Sequence, residues 1–280
     1  MTTFALYFNV IIYIQNIHIM NRLHAISLSA TALALALTSC STKQWSVASV
    51  ERSRILIDSH YDNSTDAEVV KANTALLEHK KQVDAEMNPV QGYAADNMWS
   101  ERPESPLSNL LADILVWSSD KFGEQPDFAI YNMGGIRAAL SKGVVTRGNI
   151  LDVAPFENKI CFLTLNGNDV LELFSQIAER HGEGLSHAIR ITATADGKLL
   201  SATVNGKPVD PNASYRVATL DYLAQGNDHM EAFRKKTNVV APTGEQNNVR
   251  FLIEQYFQTA NAKGEAVSSN VEGRMTIVNE

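Results

Sequence analysis

The amino-acid sequence predicts an α+β domain in packed layers, and three observations carry that prediction. Apolar residues recur at helical spacing in separate stretches near 65–86, 110–117 and 170–177, the pattern of helices that each turn one face inward. Short runs of strand length lie between and after them, among them Phe128-Ala129-Ile130-Tyr131 and the alternating Ile189 to Thr194. Asp196-Gly197 and Asn205-Gly206 bracket Leu199 to Val204, and each dipeptide is a strong hairpin signal. Helices mixed with antiparallel hairpins belong to the α+β class.

With 280 residues, 45% of them apolar and 20% charged, the chain is long enough to bury a core of ordinary size. A formal charge of −7 argues against non-specific nucleic-acid binding, which needs a basic face. No internal repeat of 20–50 residues and no low-complexity tract is visible.

The sequence divides into a leader over 1–40, a tether with a short strand over 41–61, and a domain over 62–280. From Met20, a basic start at Arg22 is followed by a mostly apolar run from Ala25 to Leu37 and then Thr38-Ser39-Cys40. That order reads as a secretory signal. Leu37-Thr38-Ser39-Cys40 resembles a bacterial lipobox, which implies that Cys40 is lipidated and becomes the first residue of a lipid-anchored envelope protein, on the periplasmic face or in the outer membrane. Residues 1–19 read either as a mis-assigned start or as a longer membrane anchor. With Cys40 acylated, Cys161 has no disulfide partner; within Ile160-Cys161-Phe162-Leu163 it reads as a buried, inert thiol.

Taken in order, Ile55-Leu56-Ile57 reads as a short strand. Thr65-Asp66-Ala67-Glu68 looks like a capping box opening an amphipathic helix to about Glu86, with Val69, Ala72, Leu76 and Val83 on its inner face. Pro89 and Gly92 end it. Ser105 or Ser108 caps the next helix, whose apolar face is Leu110, Leu111, Ile114, Leu115 and Trp117. A strand over 127–131 enters the glycine turn. A short extended piece at 143–146, a helical turn at 147–153 and a loop at 154–158 lead to a strand over 160–165. Asn166 or Asn168 caps a helix that turns Val170, Leu171, Leu173, Phe174 and Ile177 inward. After the two hairpins, a strand from Tyr215 to Leu220 empties into Asp221 to Asp228. A helix near 248–261 and a strand over 273–278 close the chain.

Asn132-Met133-Gly134-Gly135-Ile136-Arg137 stands at the centre of this order. Adjacent glycines after a strand allow a tight turn or a close backbone approach by a ligand. Asn132 brings an amide and Arg137 a guanidinium to the same place, groups suited to a base or sugar edge and to phosphate or carboxylate.

Four pieces, Glu104 to Leu110, Asn132 to Arg137, Pro155-Phe156 and Tyr222 to Asp228, together resemble the C-terminal domain of the 5′-nucleotidase family, the group of UDP-sugar hydrolases and ecto-nucleotidases. The resemblance covers roughly 62–280 and implies a layered α/β/β/α arrangement that binds nucleotide. It places Phe156 and Tyr222 at the positions of two rings that sandwich the base, Tyr222 standing where the family usually has Phe. It places Asp228 at the carboxylate that takes the ribose hydroxyls, Asn132 at a base-contacting amide, and Arg137 at a phosphate- or substrate-gripping guanidinium. Met133 replaces the first of three family glycines, and Ser108 replaces a usual Gly before Asn109. Asn227 replaces a Gly in the family's Gly-Gly-Asp, and Asn is the best non-glycine residue at positive φ. Arg102 falls near, not on, a further family arginine. Taken singly, Phe156 also reads as a loop hydrophobe, Tyr222 as a strand-end aromatic, Asp228 as a turn carboxylate and Arg137 as a surface ion-pair partner. Taken together, Asn132, Gly134, Gly135, Arg137, Phe156, Tyr222 and Asp228 read as one substrate-binding site.

Enzymes of this family hydrolyse phosphate esters in a separate metallophosphatase domain with two divalent metals. Ile55-Leu56-Ile57-Asp58-Ser59-His60 resembles its first metal motif, but no Gly-Asn-His-Asp/Glu or Gly-His-x-His follows. Asp58 and His60 therefore read as a strand-end turn. His181 and His187 are too loosely spaced for a metal pair, and His229, beside Asp228, reads as a pocket neighbour. No metal ligand, cofactor or catalytic residue is expected in this chain, and the two metals are expected in the missing phosphatase domain. The sequence thus indicates the nucleotide-recognition half of a split 5′-nucleotidase, partnered by a nucleotide or nucleoside, by a separate metallophosphatase chain and, through Cys40, by the membrane. A free-standing nucleotide- or nucleoside-binding lipoprotein and a relic structural domain stay open beside it.

Overall fold

The computed structural model describes residues 65–279, together with 16, 18, 20–22 and 49–50. Cys40, the tether, the strand expected at Ile55-Leu56-Ile57, and Asp58 and His60 lie outside the described residues.

Helix α1 (Ala67–Met87) precedes strand β1 (Val90–Ala94), helix α2 (Pro106–Ser118) and strand β2 (Phe128–Tyr131). Strand β3 (Gly143–Thr146) and helix α3 (Arg147–Val153) lead to β4 (Ile160–Asn166) and helix α4 (Gly167–Glu179). Short strand β5 (Gly184–Leu185), hairpin strands β6 (Ile189–Thr194), β7 (Leu199–Val204) and β8 (Lys207–Pro208), and β9 (Ser214–Leu220) follow. Helix α5 (Asp221–Ala224), β10 (Thr237–Val240), helix α6 (Val249–Ala262) and β11 (Met275–Val278) complete the order. Thr65–Glu280 form one unit.

The central sheet has the strand order β10-β4-β9-β2-β5. Its β2 and β9 run parallel, and the remaining pairs run antiparallel. A second sheet, β11-β6-β7-β8, contains both expected hairpins, with β11 parallel to β6. Strands β2 and β4 are almost wholly buried, as their unbroken apolar runs require. Helix α2 packs on β2, β5 and β9 and against α6, while α4 touches both sheets. Phe128, Phe162, Phe174, Phe233 and Phe257 are the largest aromatic side chains of this core. The α+β class read from the sequence is the class observed.

Local chemistry sets the helix starts. Ser105 and Ser108, both buried, share a 2.8 Å hydroxyl contact at the start of α2, and the Ser105 N–H donates to Ser108 Oγ at 3.2 Å. Asn166 caps α4 by accepting from the Asp169 N–H at 2.9 Å.

The N-terminal helix departs from its expected form. Asp66, not a Thr65–Glu68 box, caps it, accepting from the N–H groups of Glu68 and Val69 at 2.9 and 3.3 Å. None of its residues is buried; Leu76 and Val83 are 66% and 56% exposed. The apolar period is present, but no described element packs along it. The helix meets the domain at its C-terminal end, where it adjoins α3 and Glu86 Oε2 lies 3.4 Å from Arg147 Nη1.

Candidate functional site

Topology brings three loops to one edge of the central sheet. Strands β2 and β9 are parallel, so their C-terminal ends lie at the same edge. Strand β4 is antiparallel to β9, with Ile160 opposite Leu220, so its N-terminal end lies there too. The segments Asn132–Gly135, Phe156–Asn158 and Tyr222–Asp228 therefore converge. They line a cavity of about 210 Å³ formed by Asn132, Gly134, Gly135, Phe156, Asn158, Tyr222 and Asp228.

The glycine turn is a 3₁₀ turn over Met133–Gly135, closed by Gly135 N–H to Asn132 O at 3.1 Å and Ile136 N–H to Met133 O at 3.0 Å. Its two glycines have different reasons. A Cβ on Gly135 would come 2.9 Å from Asn132 Oδ1, a separation real Cβ contacts do not tolerate, so glycine lets the Asn132 amide fold over the turn. A Cβ on Gly134 would meet nothing nearer than Asp228 Oδ2 at 3.8 Å and would project beside that carboxylate, so glycine keeps the cavity open.

The turn is held from behind by Glu183, whose side chain is fully buried. Its Oε2 accepts the Met133 N–H at 2.6 Å, and its Oε1 accepts from Arg102 Nη2 at 2.6 Å and Arg180 Nε at 2.8 Å. Arg102 thus acts on the site through Glu183. The two aromatic loops are tied together by Asp221, which accepts the Lys159 N–H at 3.1 Å and returns its own N–H to Lys159 O at 2.9 Å. Arg250 of α6 donates to the carbonyls of Ala154 and Pro155, both at 3.3 Å, beneath Phe156.

Phe156 is 50% exposed and Tyr222 36%, so both rings line the cavity while staying partly open to solvent. Asp228 joins Tyr222 to the glycine turn: its Oδ1 accepts the Tyr222 hydroxyl and its Oδ2 accepts Asn132 Nδ2, each at 3.0 Å. The bond to Asp228 is the main cause that holds the Tyr222 phenol above its ordinary acidity range. Asn132 is only 4% exposed, and its Oδ1 has no hydrogen-bond partner, an unsatisfied acceptor beside the cavity.

Six of the seven expected site residues line this cavity. Arg137 does not: it is exposed beside the turn, with Nη1 3.4 Å from Gly134 O and its N–H on Val153 O. His229 is turned into a neighbouring hollow with Glu172, Gln176, Arg180 and Glu231. The expected positive φ at Asn227 falls instead on Gly226, Asp228 and His229, at 82°, 54° and 57°. Asn227 serves the turn through its side chain, donating to Tyr222 O at 2.8 Å. Asn158, Glu183 and Arg250 were not singled out from sequence; Asn158 had a signal, its place two residues after Phe156. Cys161 is buried, and burial pushes its thiol up to about 11, an unreactive state at neutral pH. Among the described residues no group of three or more His, Cys, Asp and Glu side chains is gathered to hold a metal ion.

Fold and site define an α+β domain with an aromatic-walled, carboxylate-edged cavity at a sheet edge. The chain belongs to the 5′-nucleotidase family: residues 87–235, more than half of it, match the family's C-terminal domain. Protein UshA of Yersinia enterocolitica is 31% identical over 152 residues, 53% of this chain and 27% of that protein. The cell wall protein Lmo0130 of Listeria monocytogenes is 29% identical over 228 residues, 76% of this chain and 28% of that protein. The chain thus spans about a quarter of the length of these curated relatives. Among solved structures, a 5′-nucleotidase precursor from Thermus thermophilus superposes with a TM-score of 0.63 at 25% identity, covering 76% of this chain and 44% of that one. The NAD nucleotidase of Haemophilus influenzae, at TM-score 0.57 and 18% identity over 75% of this chain and 42% of its own, shares the fold.

Proposed function

We propose that this chain is the nucleotide-recognition half of a 5′-nucleotidase-type phosphohydrolase, working at the cell envelope with a separately made metallophosphatase chain and anchored by lipid on Cys40. The observation that carries the reading is the convergence of Phe156, Tyr222, Asp228 and Asn132 on one small cavity. Ring faces accept any base by stacking, worth about 1–3 kcal/mol per base. Asp228 offers acceptor positions to the sugar hydroxyls, and the Asn132 amide forms the floor beside it. At about 210 Å³ the cavity is below the roughly 300–1,000 Å³ of a typical ligand pocket. It suits a base and part of the sugar, leaving the phosphate outside. The grip on it is assigned to Arg137, which is exposed next to the turn.

Two divalent metals in the partner would supply the activated water and the charge stabilisation for phosphate-ester hydrolysis. Membrane attachment of both halves replaces the local concentration that a covalent linker provides. A relative that is a cell wall protein supports the envelope setting, and the 5′-nucleotidase likeness supports the substrate class. The alternative reading is a free-standing nucleotide- or nucleoside-binding lipoprotein.

The test is to recover the affinity-tagged chain from its own cells' membranes and assay phosphate release from AMP. Metal-dependent, chelator-sensitive release that co-purifies with the chain is the expected result. A preparation that binds AMP but releases no phosphate with added metal would favour the free-standing binder.

A further inference from the structure

We propose that Tyr222 sets the sugar preference of the cavity: its hydroxyl occupies part of the acceptor surface of Asp228, so ribosyl and deoxyribosyl ligands are poorly distinguished. This rests on reading the cavity as a nucleoside site.

Asp228 is the carboxylate among the cavity-lining residues. An ionised carboxylate offers about four lone-pair positions on two oxygens. A vicinal diol is best met by one hydroxyl on each oxygen, and here each oxygen already holds a protein donor: Asn132 Nδ2 on Oδ2 and the Tyr222 hydroxyl on Oδ1, each at 3.0 Å. The two donors differ in what they do. Asn132 is buried and packed against Gly135, so it is part of the floor. Tyr222 is 36% exposed at the mouth, on the side a ligand must enter.

A phenol is more acidic than a sugar alcohol and donates more strongly to a carboxylate, a charge-assisted bond. A ribose hydroxyl therefore does not displace it; it shares an oxygen whose negative charge is already engaged. The backbone of Tyr222 is fixed as well, its N–H on Asp221 Oδ1 at 2.8 Å and its carbonyl on Asn227 Nδ2 at 2.8 Å, so the ring is held while it holds Asp228. With phenylalanine at this position, the stacking ring would remain and Asp228 Oδ1 would be free for the sugar. Tyr222 is on this account a specificity-determining residue that trades sugar discrimination for a fixed ring.

The test is calorimetric titration of the full chain and of its Tyr222→Phe variant with adenosine and 2′,3′-dideoxyadenosine, and with uridine and 2′,3′-dideoxyuridine. The wild type is expected to bind each ribosyl and dideoxy pair within about threefold, less than one net hydrogen bond. Tyr222→Phe is expected to raise the ribosyl-to-dideoxy affinity ratio about fivefold, the worth of one net hydrogen bond, the cost of a less firmly held ring falling on both forms alike. A wild type that already discriminates tenfold or more (about 1.4 kcal/mol), or a variant whose ribosyl-to-dideoxy ratio stays the same or falls, overturns the assignment. The substitution removes one hydroxyl, and a retained cooperative melt confirms that the variant is folded. Absence of binding by any of the four ligands to folded wild type overturns the nucleoside reading and this inference with it; binding without the shift overturns this inference alone.

Discussion

The buried carboxylate of Glu183 accepts the backbone N–H of Met133 at 2.6 Å, 50 residues away in sequence. That bond fixes the start of the glycine turn and so the position of Asn132. Because Glu183 also neutralises Arg102 and Arg180, its loss would leave two guanidiniums facing each other around an orphaned N–H. Breaking a buried pair from one side costs about 3–5 kcal/mol. The partial exposure of both arginines puts Glu183→Ala at the lower end, about 3 kcal/mol. Glu183→Gln keeps an acceptor for Met133 and is expected to cost less. Urea denaturation of both variants checks the order.

The two glycines of the turn are expected to separate stability from binding. Gly135→Ala forces a Cβ against Asn132 Oδ1 and should cost about 1–3 kcal/mol, as overpacking does. Gly134→Ala meets no close atom, so it should fold as the wild type does while binding AMP more weakly, its methyl lying beside Asp228. Thermal melts paired with titration distinguish the two effects.

A third expectation concerns pH. Glu254 is 4% exposed, and its Oε1 lies 3.5 Å from Arg147 Nε with neither atom hydrogen-bonded. Burial holds its carboxyl above the ordinary 4.5, and Arg147 and Arg250 only partly offset this. The folded state therefore binds a proton that the unfolded state has already lost. This contribution to stability is fully present below about pH 4.5 and is lost as pH rises through the raised folded value. Glu254→Gln removes the proton exchange, so its urea midpoint should gain on the wild type as pH rises from 4.5 to 7. An unchanged difference across that range would contradict the assignment.

Much of this architecture was legible because its signals are local. Asp-Gly and Asn-Gly turns, Asn166 and Ser105 caps, and the buried run 128–131 act within a few residues, and all of them are found where the sequence places them. The outer face of α1 was not legible, because an apolar period states that a face can be buried and not that something covers it. Glu183 escaped notice for a different reason: its partners Met133 and Arg102 are 50 and 81 residues away, and no local pattern links them. The left-handed turn at Asp228 and His229 was misplaced by one residue, since Gly226 and the side chain of Asn227 share the work assigned to Asn227 alone. The aromatic pair and Asp228 were legible through family resemblance, and the register of β4 against β9 gives the physical reason they meet.

The envelope reading makes a separate prediction. Cys40→Ser should release the chain from the membrane fraction and abolish its labelling with palmitate, while AMP titration of the released protein stays unchanged. Retention in the membrane without label would contradict lipid anchoring at Cys40.

The measurement that tests the central claim most directly is calorimetric titration of the folded full chain with AMP, beside Phe156→Ala and Tyr222→Ala. The account predicts binding by the wild type and a loss of about five- to hundredfold in each variant, the worth of one stacked ring. Absence of binding by the wild type, or binding indifferent to both substitutions, would contradict it.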